Sequence, residues 1–452
     1  MNISKKKSFL VLGMGKSGIA VARLLADKGF SVVVFDDDRS AMDVASSMPE
    51  ITGIRDSIEF ASGESVLRHL VQSDCLVVSP GVPLDHPLVK KAELDGIELT
   101  GELEVAYHFC SSNLVGVTGT NGKSTVVGLL GSIFTAAGKR CVVAGNIGTP
   151  LSSVVDSKEQ FDIIVLEISS FQLDTISDFK VGVAVLLNVT ADHLDRYDNS
   201  FERYSQSKSR ILNRADENTF FVYNAEDAVC RRIAAGFRGK KIPFSSAKRL
   251  SCGVYLDDDA IVERWQGHAS SILATKDFSP VGVHNLENAM AAVAAAKPFS
   301  ISGDIIRGAL KRYHSLPHRM EMTRIVRGVA YINDSKATNV DAAIKSVRSI
   351  EGSLVLIMGG LDKNGDFTPL VDHIGGVKLV VVIGQASDKI VSVLNGHCEI
   401  QRADSMEAAV KIASEHTTAG DTVLLAPACA SFDMFRDYMA RGEAFTGAVN
   451  SL

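Results

Sequence analysis

The stretch Gly119-Thr120-Asn121-Gly122-Lys123-Ser124-Thr125 constrains this chain more than any other. It follows the apolar run Leu114 to Val117 and opens an amphipathic segment, Val126 to Ala137, which Gly138 closes. That order reads as strand, glycine loop and helix, the unit from which parallel α/β sheets are built. Such a loop holds phosphate. The glycines and the helix N-terminus point backbone N–H groups at an anion, Lys123 adds a positive charge, and the Ser124 hydroxyl is placed to ligate Mg2+. The expected ligand is a nucleoside triphosphate, ATP. The full pattern would put glycine at position 117, where this chain has Val117, so the loop is a shortened variant. Read alone, it is also compatible with an ordinary strand-to-helix turn.

A chain of 452 residues is too long for one core and suggests about three domains. A net charge of −6 gives no electrostatic footprint for nucleic acid. No apolar run approaches the roughly 20 residues needed to span a bilayer, so a cytoplasmic protein without a membrane partner is expected. The seven cysteines include no CxxC pair and read as neither a disulfide framework nor a zinc site.

Near the start, the strand Ser8 to Leu12 leads into Gly13-Met14-Gly15-Lys16-Ser17-Gly18, a helix to Lys28 and a second strand, Ser31 to Phe35, ending at Asp36. This is GxGxxG in its required context, with an acidic residue about 20 positions on. The loop specifies a diphosphate at a helix N-terminus, which NAD and a UDP group both offer. The strand Cys75 to Val78 then runs into Ser79-Pro80-Gly81-Val82-Pro83, either a ligand edge or a proline-punctuated turn.

Past the ATP loop, the apolar run Phe161 to Leu166 ends in Glu167, a carboxylate placed for the Mg2+ that bridges ATP phosphates. The strand Val181 to Leu187 ends in Asn188-Val189-Thr190-Ala191-Asp192-His193. Three strands thus bring Lys123, Glu167 and His193 to one edge of one sheet. The helix Phe201 to Asn213 carries Lys208 among polar neighbours, where it reads as solvated. Asn285 and Asn288 open an alanine-rich helix, Ala289 to Ala296, that Pro298 stops; they either read an adenine edge or cap the helix, capping being the plainer reading.

A boundary is expected near Leu316-Pro317-His318-Arg319, followed by strands Val329 to Ile332, Leu354 to Met358, Leu379 to Ile383 and Thr422 to Leu425, each ending in polar or small residues. The expected fold is α/β in three domains: a Rossmann-like domain at 1–101, a central phosphate-loop ATPase-type parallel sheet at 102–315, and a Rossmann-like domain at 316–452.

At this point the sequence resembles the Mur ligases. GTNGKST, HNLEN, LPHR at Leu316 to Arg319 and NDSKATN at Asn333 to Asn339 resemble the family broadly. GNIG at Gly145 to Gly148, EISSFQLD at Glu167 to Asp174, NVTADHLDRY at Asn188 to Tyr197 and PACASFDMF at Pro427 to Phe435 resemble its D-glutamate-adding branch. The resemblance implies an ATP-dependent amide ligase of peptidoglycan precursor synthesis, joining D-glutamate to UDP-N-acetylmuramoyl-L-alanine through an acyl phosphate and a tetrahedral intermediate. It implies that Gly119, Thr120, Asn121, Gly122, Lys123, Ser124, Thr125, Asn285, Asn288, Arg319 and Asp334 bind ATP. Ser124, Glu167, His193 and Lys208, the last as a carbamate formed with CO2, would hold two Mg2+ ions, or Mn2+. Ser17, Asp36, Gly81, Asn146 and His193 would contact the UDP-substrate, and Lys336, Thr338, Lys363, Ser431, Phe432 and Tyr438 would hold D-glutamate. A monomer is expected, with the last domain closing on hinges near residues 101 and 315. Relatives often place Thr-Arg where Asp37 and Asp38 stand, and commonly phenylalanine where Tyr438 stands.

Three rivals fit parts of the chain. A sister Mur ligase or a folylpolyglutamate-type ligase shares the ATP loop, an NAD-dependent oxidoreductase accounts for the first glycine loop alone, and an ATP-gated binding protein leaves the amine site without purpose.

Overall fold

The computed structural model of the chain describes residues 3–42, 57–63, 65–157, 159–280, 282–314, 317–363 and 365–452. The expected boundary at Leu316 and the hinge near residue 315 lie outside them. Among the described residues three sheets form in succession, with five, nine and six strands.

The first sheet contains β1 (Ser8–Leu12), β2 (Ser31–Phe35), β3 (Ile58–Phe60), β4 (Cys75–Val78) and β5 (Glu98–Gly101), in the order β3-β2-β1-β4-β5 with every pair parallel. The strand order reverses between β1 and β4, so a crevice opens where their carboxyl ends part. The glycine loop after β1 and the proline-punctuated turn after β4 flank it. The helix Lys16–Asp27 starts so close to the end of β1 that a Cβ on Gly18 would lie 1.8 Å from the Gly13 carbonyl oxygen, which explains a glycine at that position.

The second sheet contains β6 (Asn113–Thr118), β7 (Cys141–Gly145), β8 (Ile163–Glu167), β9 (Val183–Leu186), β10 (Phe220–Asn224), β11 (Lys240–Ser245), β12 (Gly253–Asp257), β13 (Ala260–Trp265) and β14 (His268–Ala274). Its order is β14-β13-β12-β11-β10-β9-β6-β8-β7. β6 lies between β8 and β9 in parallel register, Val117 opposite Glu167 on one side and Val185 on the other. The phosphate loop, Glu167 and the segment after β9 are therefore neighbours on one edge, as expected. The end of the sheet departs from expectation, because β12, β13 and β14 run as an antiparallel meander.

The helix after the loop begins at Lys123 and runs to Ala136. It is more buried than an amphipathic surface helix, with Val126, Val127, Leu129, Leu130, Ile133 and Phe134 inaccessible to solvent. It packs against the helix Val283–Ala296, whose alanines from 289 onward are fully buried. Small side chains let that helix lie close to sheet and neighbour at no cost in helix propensity. On the opposite face Leu24 of the first helix joins Leu103, Leu151, Val154 and Phe179 in one apolar cluster, so the first and second sheets share a core.

The third sheet contains β15 (Glu321–Val326), β16 (Val329–Asn333), β17 (Leu354–Gly359), β18 (Val377–Ile383), β19 (Glu399–Arg402) and β20 (Thr422–Leu425), ordered β15-β16-β20-β17-β18-β19. It is parallel apart from the β15–β16 hairpin. Apolar clusters cover both faces, which accounts for strands that read as continuous apolar runs. No helix among the described residues is long and apolar enough to cross a membrane.

Candidate active site

Gly122 adopts φ +87, and a Cβ there would sit 2.3 Å from Asn288 Oδ1. Glycine thus serves both the turn and the approach of the second helix. Lys123 folds back over the loop, its Nζ donating to the carbonyls of Gly119 at 2.9 Å and Thr120 at 2.8 Å. The segment after β9 is stitched to the same loop. Thr120 Oγ1 donates to Thr190 O and accepts from Thr190 N, both at 3.0 Å, while Asn121 N donates to Asn188 Oδ1 at 2.9 Å.

Lys208 corrects the reading of a solvated lysine. The helix Phe201–Ser209, which ends earlier than expected and continues as a 3-10 turn over Arg210–Leu212, turns Lys208 inward, where it is 2% exposed. Its Nζ lies 4.6 Å from the Tyr204 ring centroid and donates to Gly119 O at 2.9 Å, the carbonyl that Lys123 also uses. Burial, and then the charge of Lys123, push its pKa well below that of an ordinary lysine. Burial likewise lowers that of Lys123.

Glu167 is 2% exposed. Asn146 Nδ2 donates to its Oε1 at 2.8 Å, and Oε2 is buried with no hydrogen-bond partner. An orphaned carboxylate oxygen is costly unless a cation or donor completes it. A cavity of about 300 Å3 in front of it is lined by Lys123, Ser124, Asn146, Glu167, His193, Lys208, Arg319, Lys336 and Thr338. The free Glu167 oxygen, the Ser124 hydroxyl and the His193 imidazole in this lining suit a divalent cation such as Mg2+. His193 adopts φ +52 and meets the Phe171 ring edge-on at 5.3 Å. Burial, set against the attraction of Asp192, holds its pKa down at about 4, so the imidazole is neutral and available as a ligand at neutral pH.

Asn285 and Asn288 do not cap their helix. The N-cap is Gly282, which makes no side-chain cap bond, and the two amides lie further in. They are buried, 3.3 Å apart from Asn288 Nδ2 to Asn285 Oδ1, and line a small cavity with Asn121, Gly122, Thr125, Arg319 and Asp334. Burial, tempered by Ser346 and Arg319, raises the pKa of Asp334 to about 6, and burial with the Arg319 charge brings Lys336 down to about 8.

The third sheet reaches the second through polar contacts that the sequence did not single out. Lys363 Nζ donates to Asp192 Oδ1 at 2.7 Å, Asn339 Nδ2 to Asp192 Oδ2 at 3.0 Å, and Asn121 Nδ2 to Asp341 Oδ2 at 2.7 Å. Burial alone would raise the pKa of Asp192, but Lys363 and His193 bring it to about 2. A second cavity of about 390 Å3, lined by Asp192, His193, Thr338, Lys363 and apolar Leu194, Val340 and Ile344, opens beside them. Of the residues expected at an amino-acid substrate, Lys336, Thr338 and Lys363 face these cavities. Ser431 is buried and Phe432 is 69% exposed; neither lines them, nor does Tyr438, whose ring carries Lys336 Nζ at 4.0 Å.

At the first sheet, Ser17 lies in the first turn of the helix Lys16–Asp27, and Asp36 accepts from Met14 N at 2.7 Å and Asp38 N at 2.9 Å, so its carboxylate braces the glycine loop. Asp37 pairs with His86 at 2.7 Å, and Asp38 accepts from Ser40. Gly81 is joined to the second sheet by Arg196. Asp192, Arg196 and Asn339 stand inside stretches already quoted from the sequence and Asp341 two residues beyond one, yet none of the four was given a site role there.

A phosphate loop facing an orphaned acid, one buried and one part-buried lysine and polar groups from a third sheet defines an ATP-using enzyme of three α/β units. Residues 7–101 match the family described as "Mur ligase MurD-like, N-terminal domain", 117–296 the "Mur ligase middle domain" and 318–429 the "Mur ligase, glutamate ligase domain". The chain belongs to the Mur ligase family. It is 41% identical over 450 residues to the "UDP-N-acetylmuramoylalanine--D-glutamate ligase" of Pelotomaculum thermopropionicum, covering 99% of this chain and 98% of the relative. The relative of the same name from Geotalea uraniireducens is 39% identical over 448 residues, with 99% and 98% covered. Among solved structures, a pseudomurein peptide ligase type C from Methanothermus fervidus aligns with TM-score 0.64 at 18% identity, over 98% of this chain and 99% of that one. The UDP-N-acetylmuramate-alanine ligase of Thermotoga maritima aligns with TM-score 0.61 at 17% identity, over 99% of both. At these identities the structures speak for the fold.

Proposed function

We propose that this protein is an ATP-dependent ligase that joins D-glutamate to UDP-N-acetylmuramoyl-L-alanine, releasing ADP and phosphate. The observation that carries the reading is the convergence of Lys123, Lys208, Glu167 and His193 on one cavity, in a chain 39–41% identical over nearly its whole length to ligases named for D-glutamate addition. The chemistry follows from what such a cavity can hold. A substrate carboxylate oxygen attacks the γ-phosphorus of ATP and ADP leaves; the amine then attacks the acyl carbon, and phosphate departs from the tetrahedral intermediate. Lys123 and the loop N–H groups bind the transferring phosphoryl group, with Asn285, Asn288, Arg319 and Asp334 around the nucleotide.

Bound Mg2+ supplies neutralisation of the phosphoryl charge. Ser124 and Glu167 would hold one ion and His193 a second, Mn2+ being an alternative. Lys208 enters as a carbamate. A buried amine with a depressed pKa is a nucleophile toward CO2, and the resulting anion offsets the neighbouring Lys123 charge that the neutral amine cannot. Lys336, Thr338 and Lys363 receive D-glutamate, with Ser431, Phe432 and Tyr438 brought in by movement of the third sheet. The UDP-sugar lies along Ser17, Asp36, Gly81 and Asn146. The protein acts as a cytoplasmic monomer, with 1–101, 102–315 and 316–452 as its three domains.

Phosphate release from ATP with Mg2+ and UDP-N-acetylmuramoyl-L-alanine, with D-glutamate, L-glutamate or L-lysine added in turn, tests the reading. Turnover with D-glutamate alone is expected. Turnover with another amine reassigns the protein to a sister ligase, and none with any amine overturns the ligase reading.

A further inference from the structure

Arg196 follows His193 by three residues, on the same loop at the end of β9, and no role in nucleotide or amine binding falls to it. Its guanidinium leaves the second sheet and donates to three successive carbonyls of the first: Val82 at 3.1 Å, Gly81 at 3.3 Å and Pro80 at 3.5 Å. That turn is joined on its far side to the first glycine loop, through Ser79 Oγ donating to Gly13 O at 2.7 Å. On its near side the guanidinium lies 4.4 Å from the Phe171 ring centroid, and Phe171 in turn meets His193 edge-on at 5.3 Å. Phe171 is itself fixed by a capping box, Ser169 and Gln172 each accepting from the other's backbone N–H. A continuous path therefore runs from the first glycine loop through Ser79, the 80–82 turn, Arg196 and Phe171 to His193.

The chemistry of the path suits arginine and not lysine. Three carbonyls offer acceptors only, and a planar guanidinium presents five donors in a fixed fork while stacking on an aromatic face. The loop also needs an external anchor, because His193 and Asp198 at its two ends both have left-handed backbone, and the turn between them makes no side-chain cap bond at His193.

We infer that Arg196 is a positioning residue that couples the seat of the UDP-linked substrate in the first sheet to the placement of His193 at the reacting centre. The two sheets already share a core, and what this guanidinium adds is a tie between the 80–82 turn and the loop that carries His193, on which the reach of the substrate carboxylate toward the γ-phosphate then depends. The inference rests on the reading given under Proposed function.

Steady-state kinetics of the full chain as wild type, Arg196→Ala and Arg196→Lys test it, each substrate being varied in turn and melting temperatures recorded alongside. In Arg196→Ala the KM for UDP-N-acetylmuramoyl-L-alanine should rise roughly tenfold or more, as for loss of charge-assisted hydrogen bonds, while the KM for ATP stays within about twofold. Arg196→Lys should keep the melting temperature and recover only part of the KM. An unchanged KM for the UDP-substrate, an equal rise in the KM for ATP, or full recovery by lysine overturns the inference. A wild-type protein without turnover refutes the functional reading instead. The coupling is then decided by energy transfer between dyes on the first and second sheets, where Arg196→Ala should broaden the distance distribution and an unchanged distribution overturns the inference.

Discussion

Two glycine loops in this molecule look alike in sequence and differ in what surrounds them. Each follows a central parallel strand and opens a helix, β1 into Lys16–Asp27 and β6 into Lys123–Ala136. Around the second, Glu167 with an unpartnered oxygen, two inward lysines and a neutral imidazole share one cavity. Around the first, the acid that could have served chemistry, Asp36, spends its oxygens on Met14 N and Asp38 N. A glycine turn at a helix N-terminus suits an anion in both places, and the side chains from neighbouring strands equip only the second for chemistry.

Removing the charge at the second loop should have the largest effect. Lys123→Ala is expected to lower kcat by about three orders of magnitude, as for loss of a preorganised cation on a transferring phosphoryl group, with binding of the UDP-substrate intact by calorimetry. A simultaneous loss of UDP-substrate affinity would break the division between the loops. Lys208→Ala should follow, with a fall in kcat of roughly a hundredfold that short carboxylates such as formate partly restore. No restoration argues against the carbamate.

At the first loop the expected response is different in kind. Asp36→Ala should cost about 1 kcal/mol of stability, chiefly by removing the acceptor of the part-buried Met14 N–H, and raise the KM for the UDP-substrate with kcat near wild type. A kcat loss comparable to that of Lys123→Ala would erase the contrast. The smallest effect concerns pH. Burial, with the charge of Lys345 adding to it, lowers the pKa of His284, beside the cavity lined by Asn285 and Asn288, to about 4. As pH falls below about 6.5, the unfolded chain takes up this proton before the folded one, so the contribution is complete above pH 6.5 and lost toward pH 4. His284→Gln should therefore lose less melting temperature over that window than wild type.

Much of this was legible in the sequence because backbone-determined features announce themselves locally. The strand ends at Thr118, Glu167 and Leu186 follow from apolar runs buried on both faces, and adjacency of the three follows from parallel topology. Lys208 was legible only by resemblance. Its neighbours Ser205, Gln206, Ser207 and Ser209 are polar, and nothing in a helix of low hydrophobicity tells that Tyr204 and the Gly119 carbonyl wait on the inner side. Arg196 and Asp341 were hidden for a related reason. Charged residues in a 3-10 turn, as Arg196, or in the first turn of a helix, as Asp341, normally serve solvent, and only the arrangement of the three sheets reveals that these two bridge between them. The β12–β14 meander was missed because its alternating, partly exposed strands carry no chemistry to draw notice.

The most direct test follows oxygen. With UDP-N-acetylmuramoyl-L-alanine labelled with oxygen-18 in its alanyl carboxylate, transfer of the phosphoryl group onto that carboxylate requires label to appear in the phosphate released when D-glutamate is added. Labelled phosphate formed together with the D-glutamyl product is the expected result. Unlabelled phosphate, with product still formed, contradicts the acyl-phosphate route assigned to the cavity of Lys123, Glu167, His193 and Lys208.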